Sequence, residues 1–227
     1  MKKNILVLAA HPDDEVLGCG GTIAKYISEG YFVHVAFISD GVSSRYEDID
    51  EQTKELESRR SSALSALNIL GVTSISFGDF PDNRMDTLAT IDVAKVIENL
   101  IAIHKPEIVF THHYGDVNVD HQMIHQATVV ACRPQPNHSV RTILCYEVSS
   151  STEWQLPGNN LEFKPNYFID ISRFIDQKLR SLKEYEFEMR KWPHSRSLKS
   201  IEHLAHWRGS IVGLDSAEAF MVGRIIQ

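Results

Sequence analysis

The chain has 227 residues, 43% of them hydrophobic, and a formal net charge of −7. That length suits one α/β domain with a substantial core, and the acidic balance argues against a general nucleic-acid or membrane surface, since those partners attract basic patches. Cys19, Cys132 and Cys145 are odd in number and form no Cys-x-x-Cys, which fits reduced, buried thiols in a cytoplasmic protein better than a disulfide framework.

Asn4 to Leu8 is an apolar run that reads as a buried strand, and Val16 to Tyr26 reads as the opening of a helix. The run after Met1-Lys2-Lys3 ends at a charged cluster, unlike a signal peptide, and no stretch reaches the ~20 apolar residues of a membrane helix. Tyr31 to Ile38 is a second strand. Glu47 to Leu70 carries Leu56, Ala63, Leu64, Leu67 and Leu70 at helical spacing and is closed by Gly71. Val72 to Phe77 follows as a strand, with Gly78 to Asn83 as a loop rich in turn residues. Ile91 to His104 reads as a helix and Glu107 to Thr111 as a fourth strand. His121 to Cys132 is expected to be helical and to stop near Arg133-Pro134-Gln135-Pro136. Val140 to Val148 is a further strand, and Ser149 to Asn166, with Pro157-Gly158-Asn159-Asn160, is loop-like. Phe174 to Trp192 is expected to form a long amphipathic helix, with His203 to Gly209 on another. This alternation predicts a Rossmann-like α/β fold: a mostly parallel sheet with helices on both faces and right-handed crossovers. A single domain over 1–227 is expected, the part from about residue 150 completing the sheet and covering the site.

Two polar clusters stand at strand ends. Ala10-His11-Pro12-Asp13-Asp14-Glu15 sets a histidine and three acids where the first strand gives way to a helix. Adjacent buried carboxylates raise each other's pKa, and a bound cation removes that conflict. Imidazole and carboxylate together suit Zn²⁺, with Fe²⁺ or Co²⁺ as alternatives at a mixed nitrogen and oxygen site. The plainer alternative, one Asp capping the helix beside a core histidine, accounts for one acid and not three. The second cluster runs from Thr111 to His121. Across the top of a parallel sheet the two clusters can face each other, so His121 is the candidate third ligand beside His11 and Asp14. It can also be read as a polar residue near a helix start. His121-Gln122-Met123-Ile124-His125 mimics a zinc-protease motif, but Gln122 stands where that mechanism needs a glutamate base. Gly18-Cys19-Gly20 with Asp40 has the outline of a dinucleotide fingerprint, yet Ile23 occupies the place of the third glycine. The glycines are better read as allowing a helix to pack closely on the sheet.

Ala10-His11-Pro12-Asp13-Asp14-Glu15 followed by Gly18-x-Gly20-Gly21, with Asp116-x-Asn118-x-Asp120-His121 downstream, resembles the LmbE-like/PIG-L zinc deacetylases, which include enzymes that remove N-acetyl groups from glucosaminyl conjugates. The resemblance implies His11, Asp14 and His121 as zinc ligands and Asp13 as general base. The family usually carries a histidine at the position of Asn118; an amide there can donate to an oxyanion but cannot deliver a proton. Asp120 fits the fixing of a neighbouring side chain. Asp13 returning its proton, or His113 or His112 from the second cluster, are the candidates for protonating the leaving amine, and His113 is also a candidate substrate contact. Arg59 and Arg60 are candidates for contacts to phosphate or sugar hydroxyls, and Arg190, His194, Arg196 and His206 for a basic and aromatic set over the substrate, or for a homo-oligomer contact. Three function classes remain: a zinc hydrolase of an N-acyl amino sugar, a nucleotide- or NAD-binding enzyme, and a catalytically silent metal-binding relative.

Overall fold

The computed structural model describes residues 3–44, 48–158 and 161–227; Glu47, at the expected start of the second helix, and Asn159-Asn160 in the expected loop lie outside the described residues. The apolar runs become β1 (Asn4–Ala9), β2 (Phe32–Ser39), β3 (Ser74–Phe80), β4 (Ile108–His112) and β5 (Thr142–Tyr146). Between them lie α1 (Asp14–Ser28), α2 (Ile49–Leu70), α3 (Thr90–His104) and α4 (Val119–Ala131). After β5 come β6 (Tyr167–Asp170), α5 (Ile175–Lys183), α6 (Leu198–Ser210) and β7 (Ala217–Ile225). The sheet runs β3-β2-β1-β4-β5-β7-β6. β1 to β5 pair in parallel, whereas β7 is antiparallel to both β5 and β6.

Strand alternation sorts the core into two layers. Ile5, Val7 and Ala9 pack with residues of α1, α2, α5 and α6, while Leu6, Leu8 and Ala10 pack with α3 and α4. The strand order reverses between β1 and β4, so their carboxyl ends open a crevice of the kind that holds ligands in open α/β sheets. Both polar clusters begin there. All three cysteines are buried and free, and no helix among the described residues is long and apolar enough to cross a membrane.

α1 reaches the sheet through its glycines. A Cβ on Gly18 would collide with the Tyr146 ring, and one on Gly21 would press into Ile171. The helix kinks at Cys19 (φ −147°), and the amides of Gly21 and Thr22 donate instead to the Glu218 carboxylate at 3.0 and 2.7 Å. Lys178 Nζ closes the arrangement, 2.6 Å from Glu218 and 2.8 Å from the Leu17 carbonyl.

Several elements depart from expectation. β3 continues through Gly78-Asp79-Phe80, expected as loop, because Phe80 still pairs with Ser39. Only Gly78 fits there, its backbone lying against the Ile38 carbonyl. His112 is the last residue of β4 and not part of the following loop. The helix expected over Phe174 to Trp192 is helical only as Ile175–Lys183, since Tyr185 and Glu188 turn inward beyond it. β6 and β7 were not anticipated as strands.

Candidate active site

β1 delivers its chain end to the crevice, and the turn that follows is held in an uncommon shape. Asp13 has φ +123°, a region that non-glycine residues rarely occupy and that costs on the order of 1–3 kcal/mol. Its amide donates to Glu15 Oε2 at 3.0 Å, and Tyr185 Oη donates to Glu15 Oε1 at 2.5 Å. The Asp13 carboxyl makes no cap bond to α1. It faces the cavity, where Arg196 Nη1 lies 3.1 Å from Oδ2. Burial pushes its pKa up to about 7 against the pull of Arg196.

Asp14 sits between two imidazoles. Its Oδ2 is 3.3 Å from His11 Nδ1 and 3.2 Å from His121 Nε2, and one donor atom from each of the three residues lies within 4.8 Å of the others. The outward nitrogen of each ring is backed by carboxylates. His11 Nε2 lies 3.0 Å from Asp120 and 3.1 Å from Asp82, and His121 Nδ1 lies 3.1 Å from Asp116. Those carboxylates are themselves fixed. Asp120 accepts from the amides of Asn83 and Met85, and Asp116 accepts from the hydroxyls of Ser151 and Thr152. Burial pulls the His121 pKa down, yet Asp14 and Asp116 outweigh it and hold it at about 9. Burial likewise opposes a charge on His11, but Asp120, Asp14 and Asp82 raise its pKa well above 6.5. Asp14 is kept well below the usual carboxylate range, its burial overcome by His121 and His11.

The sequence matches the family model PIG-L, described as GlcNAc-PI de-N-acetylase, over residues 6–132, a span that holds His11, Asp13, Asp14, Asp120 and His121. The chain belongs to the PIG-L family. An Escherichia coli relative, the uncharacterized deacetylase YaiS, is 32% identical over 191 residues, covering 82% of this chain and 91% of its own. A 4-oxalmesaconate hydratase of Pseudomonas putida is 28% identical over 193 residues, covering 80% and 72%. The fold superposes on N,N'-diacetylchitobiose deacetylase from Pyrococcus horikoshii with a TM-score of 0.79 at 21% identity, covering 98% of this chain and 84% of that one. The PIG-L match makes this chain a hydrolase of the deacetylase class.

His11, Asp14 and His121 fit the metal site of a PIG-L protein on the chain's own geometry. Two nitrogens and a carboxylate oxygen converge, and each histidine is oriented by an acid on its far nitrogen, the outer arrangement that metal-bound imidazoles need. Asn118 is the N-cap of α4: its Oδ1 accepts from the amides of Asp120 (2.9 Å) and His121 (3.4 Å), and its Nδ2 donates to Asn83. Arg59 lines the cavity, ion-paired with Glu188 and Glu55.

Other expected residues lie elsewhere. His113 is turned away to the Leu161 carbonyl at 2.8 Å, and Arg190 is exposed, donating to the carbonyls of Phe187 and Met189. Neither lines the cavity. His112 is sealed beneath the site, stacked on His121 at 3.8 Å, with its Nε2 accepting from the Ala10 amide at 2.9 Å beside the Tyr146 hydroxyl that donates to the Leu8 carbonyl, so it is not placed to protonate a substrate. Asp82 and Glu188 line the cavity but were missed in the sequence, Asp82 because Pro81-Asp82-Asn83 carries ordinary turn chemistry and Glu188 because it resembles a solvated helix face.

Proposed function

We propose that the protein is a divalent-metal-dependent hydrolase that removes the N-acetyl group from an amino-sugar conjugate, with His11, Asp14 and His121 as the metal ligands. The observation that carries this reading is the convergence of those three donors with the Asp13 carboxyl on one polar cavity. The description of the PIG-L family supports the amino-sugar substrate. A divalent ion such as Zn²⁺, Fe²⁺ or Co²⁺ bound there supplies a water of near-neutral pKa and polarises the acetamide carbonyl.

The chain's own groups carry the protons. Asp13 accepts the proton of the attacking water as the oxygen bonds to the acetyl carbon. It returns that proton to the nitrogen as the carbon–nitrogen bond breaks, giving a free amine and acetic acid, which loses its remaining proton to the amine or to solvent. His112 and His113, the other candidates for that proton, are turned away. Asn118 Nδ2 is a neutral donor on a residue that lines the same cavity and suits the developing oxyanion.

Amine release from N-acetylated amino sugars, lost with chelator and restored by added Zn²⁺, tests the reading. Asp13→Asn is expected to retain metal and to lose about 10²–10⁴-fold in turnover, the usual contribution of a general base. Wild-type turnover by that variant would overturn the role of Asp13. Metal-dependent water addition to a carbon–carbon double bond with no amine released would place the chain with its hydratase relative.

A further inference from the structure

We infer that Glu15 and Tyr185 are positioning residues of the reaction, a clamp that holds the Asp13 backbone in the strained turn that presents its carboxyl to the cavity. This rests on the hydrolase reading and adds two residues to it.

Asp13 stands at the N-cap position of α1, where an acid ordinarily takes an extended backbone and accepts from the second or third helical amide. Asp48 before α2, Asn118 before α4 and Ser197 before α6 do so, with φ of −83°, −77° and −91° and side-chain oxygens on the amides that follow. Asp13 does not. It lies at φ +123° and ψ −29°, and its carboxyl makes no cap bond. Its relaxed alternative is to lay that carboxyl on the amides of Glu15 and Val16, which would commit the proposed base to the helix end. A backbone in so sparsely populated a region persists only where its surroundings over-determine it.

The carbonyl side of Asp13 is held by the helix itself, through the amides of Val16 and Leu17 at 3.1 and 2.9 Å. The amide side is held by Glu15, whose Oε2 reaches back two residues to accept from the Asp13 N–H at 3.0 Å. The other oxygen, Oε1, accepts from Tyr185 Oη at 2.5 Å. Both residues are buried, and the Tyr185 ring packs in the core layer that holds Val16, Leu17 and Leu182, so water does not compete for either hydrogen bond. Neither residue lines the cavity. Their effect on a substrate therefore passes through Asp13, whose carboxyl is steadied at its far end by Arg196.

Tyr185→Phe keeps the ring and its packing and removes only the hydroxyl. In metal-loaded enzyme assayed by amine release from N-acetylglucosamine and N,N'-diacetylchitobiose, it is expected to lower kcat about 10²-fold, the order that a ~1 Å misplacement costs, with KM and bound metal unchanged. Glu15→Ala lowers kcat likewise. Glu15→Gln recovers most of it, since the amide oxygen still accepts from Asp13 and the NH2 group can donate to Tyr185 Oη. On an Asp13→Asn background Tyr185→Phe costs no further turnover, because the group it acts through is already disabled, whereas a general loosening of the fold multiplies the two losses. A crystal structure of Tyr185→Phe is expected to show Asp13 at negative φ with its carboxyl on the α1 amides. Wild-type kcat in Tyr185→Phe, an unmoved Asp13 or multiplied losses overturn the inference, while amine release by the wild-type enzyme keeps the hydrolase reading. If the wild-type protein releases no amine, that reading falls by itself, and the same crystal structure still supports the clamp or overturns it.

Discussion

Asn118 is where one side chain does two jobs that separate variants can pull apart. Its Oδ1 caps α4 and so fixes the turn that carries Asp120 and His121, and its Nδ2 is the amide donor proposed for the oxyanion. Asn118→Asp keeps the capping acceptor and removes the donor, so melting should move little while turnover falls at least tenfold. Asn118→Ala removes both, and the lost cap lowers stability by a further ~1 kcal/mol. Thermal melts beside amine-release assays check the pair; full turnover in Asn118→Asp would remove the amide from the reaction. The residues proposed for the site were legible in sequence because each group sits on one turn: His11, Asp13 and Asp14 after β1, Asp120 and His121 at the start of α4. Asp82 and Glu188 reach the same cavity from distant segments, and no local pattern announces a meeting that only the folded sheet arranges. Arg196 belongs with them: its sequence neighbourhood is basic and aromatic, but its pairing with Asp13 depends on how the chain returns after α5.

Within the elements, β2 holds a histidine that works against acid. His34 is buried between Ser74 and Ser76 of β3, at 2.8 and 3.0 Å, and stacks on His104 of α3 at 3.8 Å. Burial and then the neighbouring His104 depress its pKa to about 4. The folded state therefore holds His34 neutral, while the unfolded chain takes up a proton near pH 6.5. Stability from this group is complete above pH 6.5 and falls as pH drops towards 4. His34→Gln should flatten that part of the curve of denaturation midpoint against pH; an unchanged slope would show that other groups set it. The parallel strands were easy to find because strands buried on both faces read as continuous apolar runs. β6 and β7 were not. Tyr167–Asp170 is short and half-exposed, and β7 carries Glu218 and Arg224, charges that break a strand pattern although Glu218 is almost fully buried. The helix expected to reach Trp192 failed for a related reason. Its amphipathic spacing continues past Lys183, but Tyr185 and Glu188 are committed to Glu15 and to the two arginines.

Across the whole molecule, the family match ends at residue 132, yet the remaining chain supplies β5, β7 and β6 and brings Tyr185, Glu188 and Arg196 to the site. Besides the β4–β5 pairing, the Lys178–Glu218 pair ties this part of the chain to α1. Glu218 on β7 receives the two amides freed where α1 kinks, and Lys178 on α5 neutralises it while bonding the carbonyl of Leu17. α1 begins at Asp14, so this charge pair holds the helix that carries a proposed metal ligand. Removing the lysine alone leaves a carboxylate buried without its cation, and Lys178→Met should cost about 3–5 kcal/mol in denaturant unfolding. Glu218→Gln keeps an oxygen for one of the freed amides and removes the charge. Lys178→Met combined with Glu218→Gln should therefore recover much of the loss, a positive coupling between residues in contact. Additive losses would mean that the pair is separately dispensable and that shape, through Gly18 against Tyr146 and Gly21 against Ile171, holds α1 to the sheet instead.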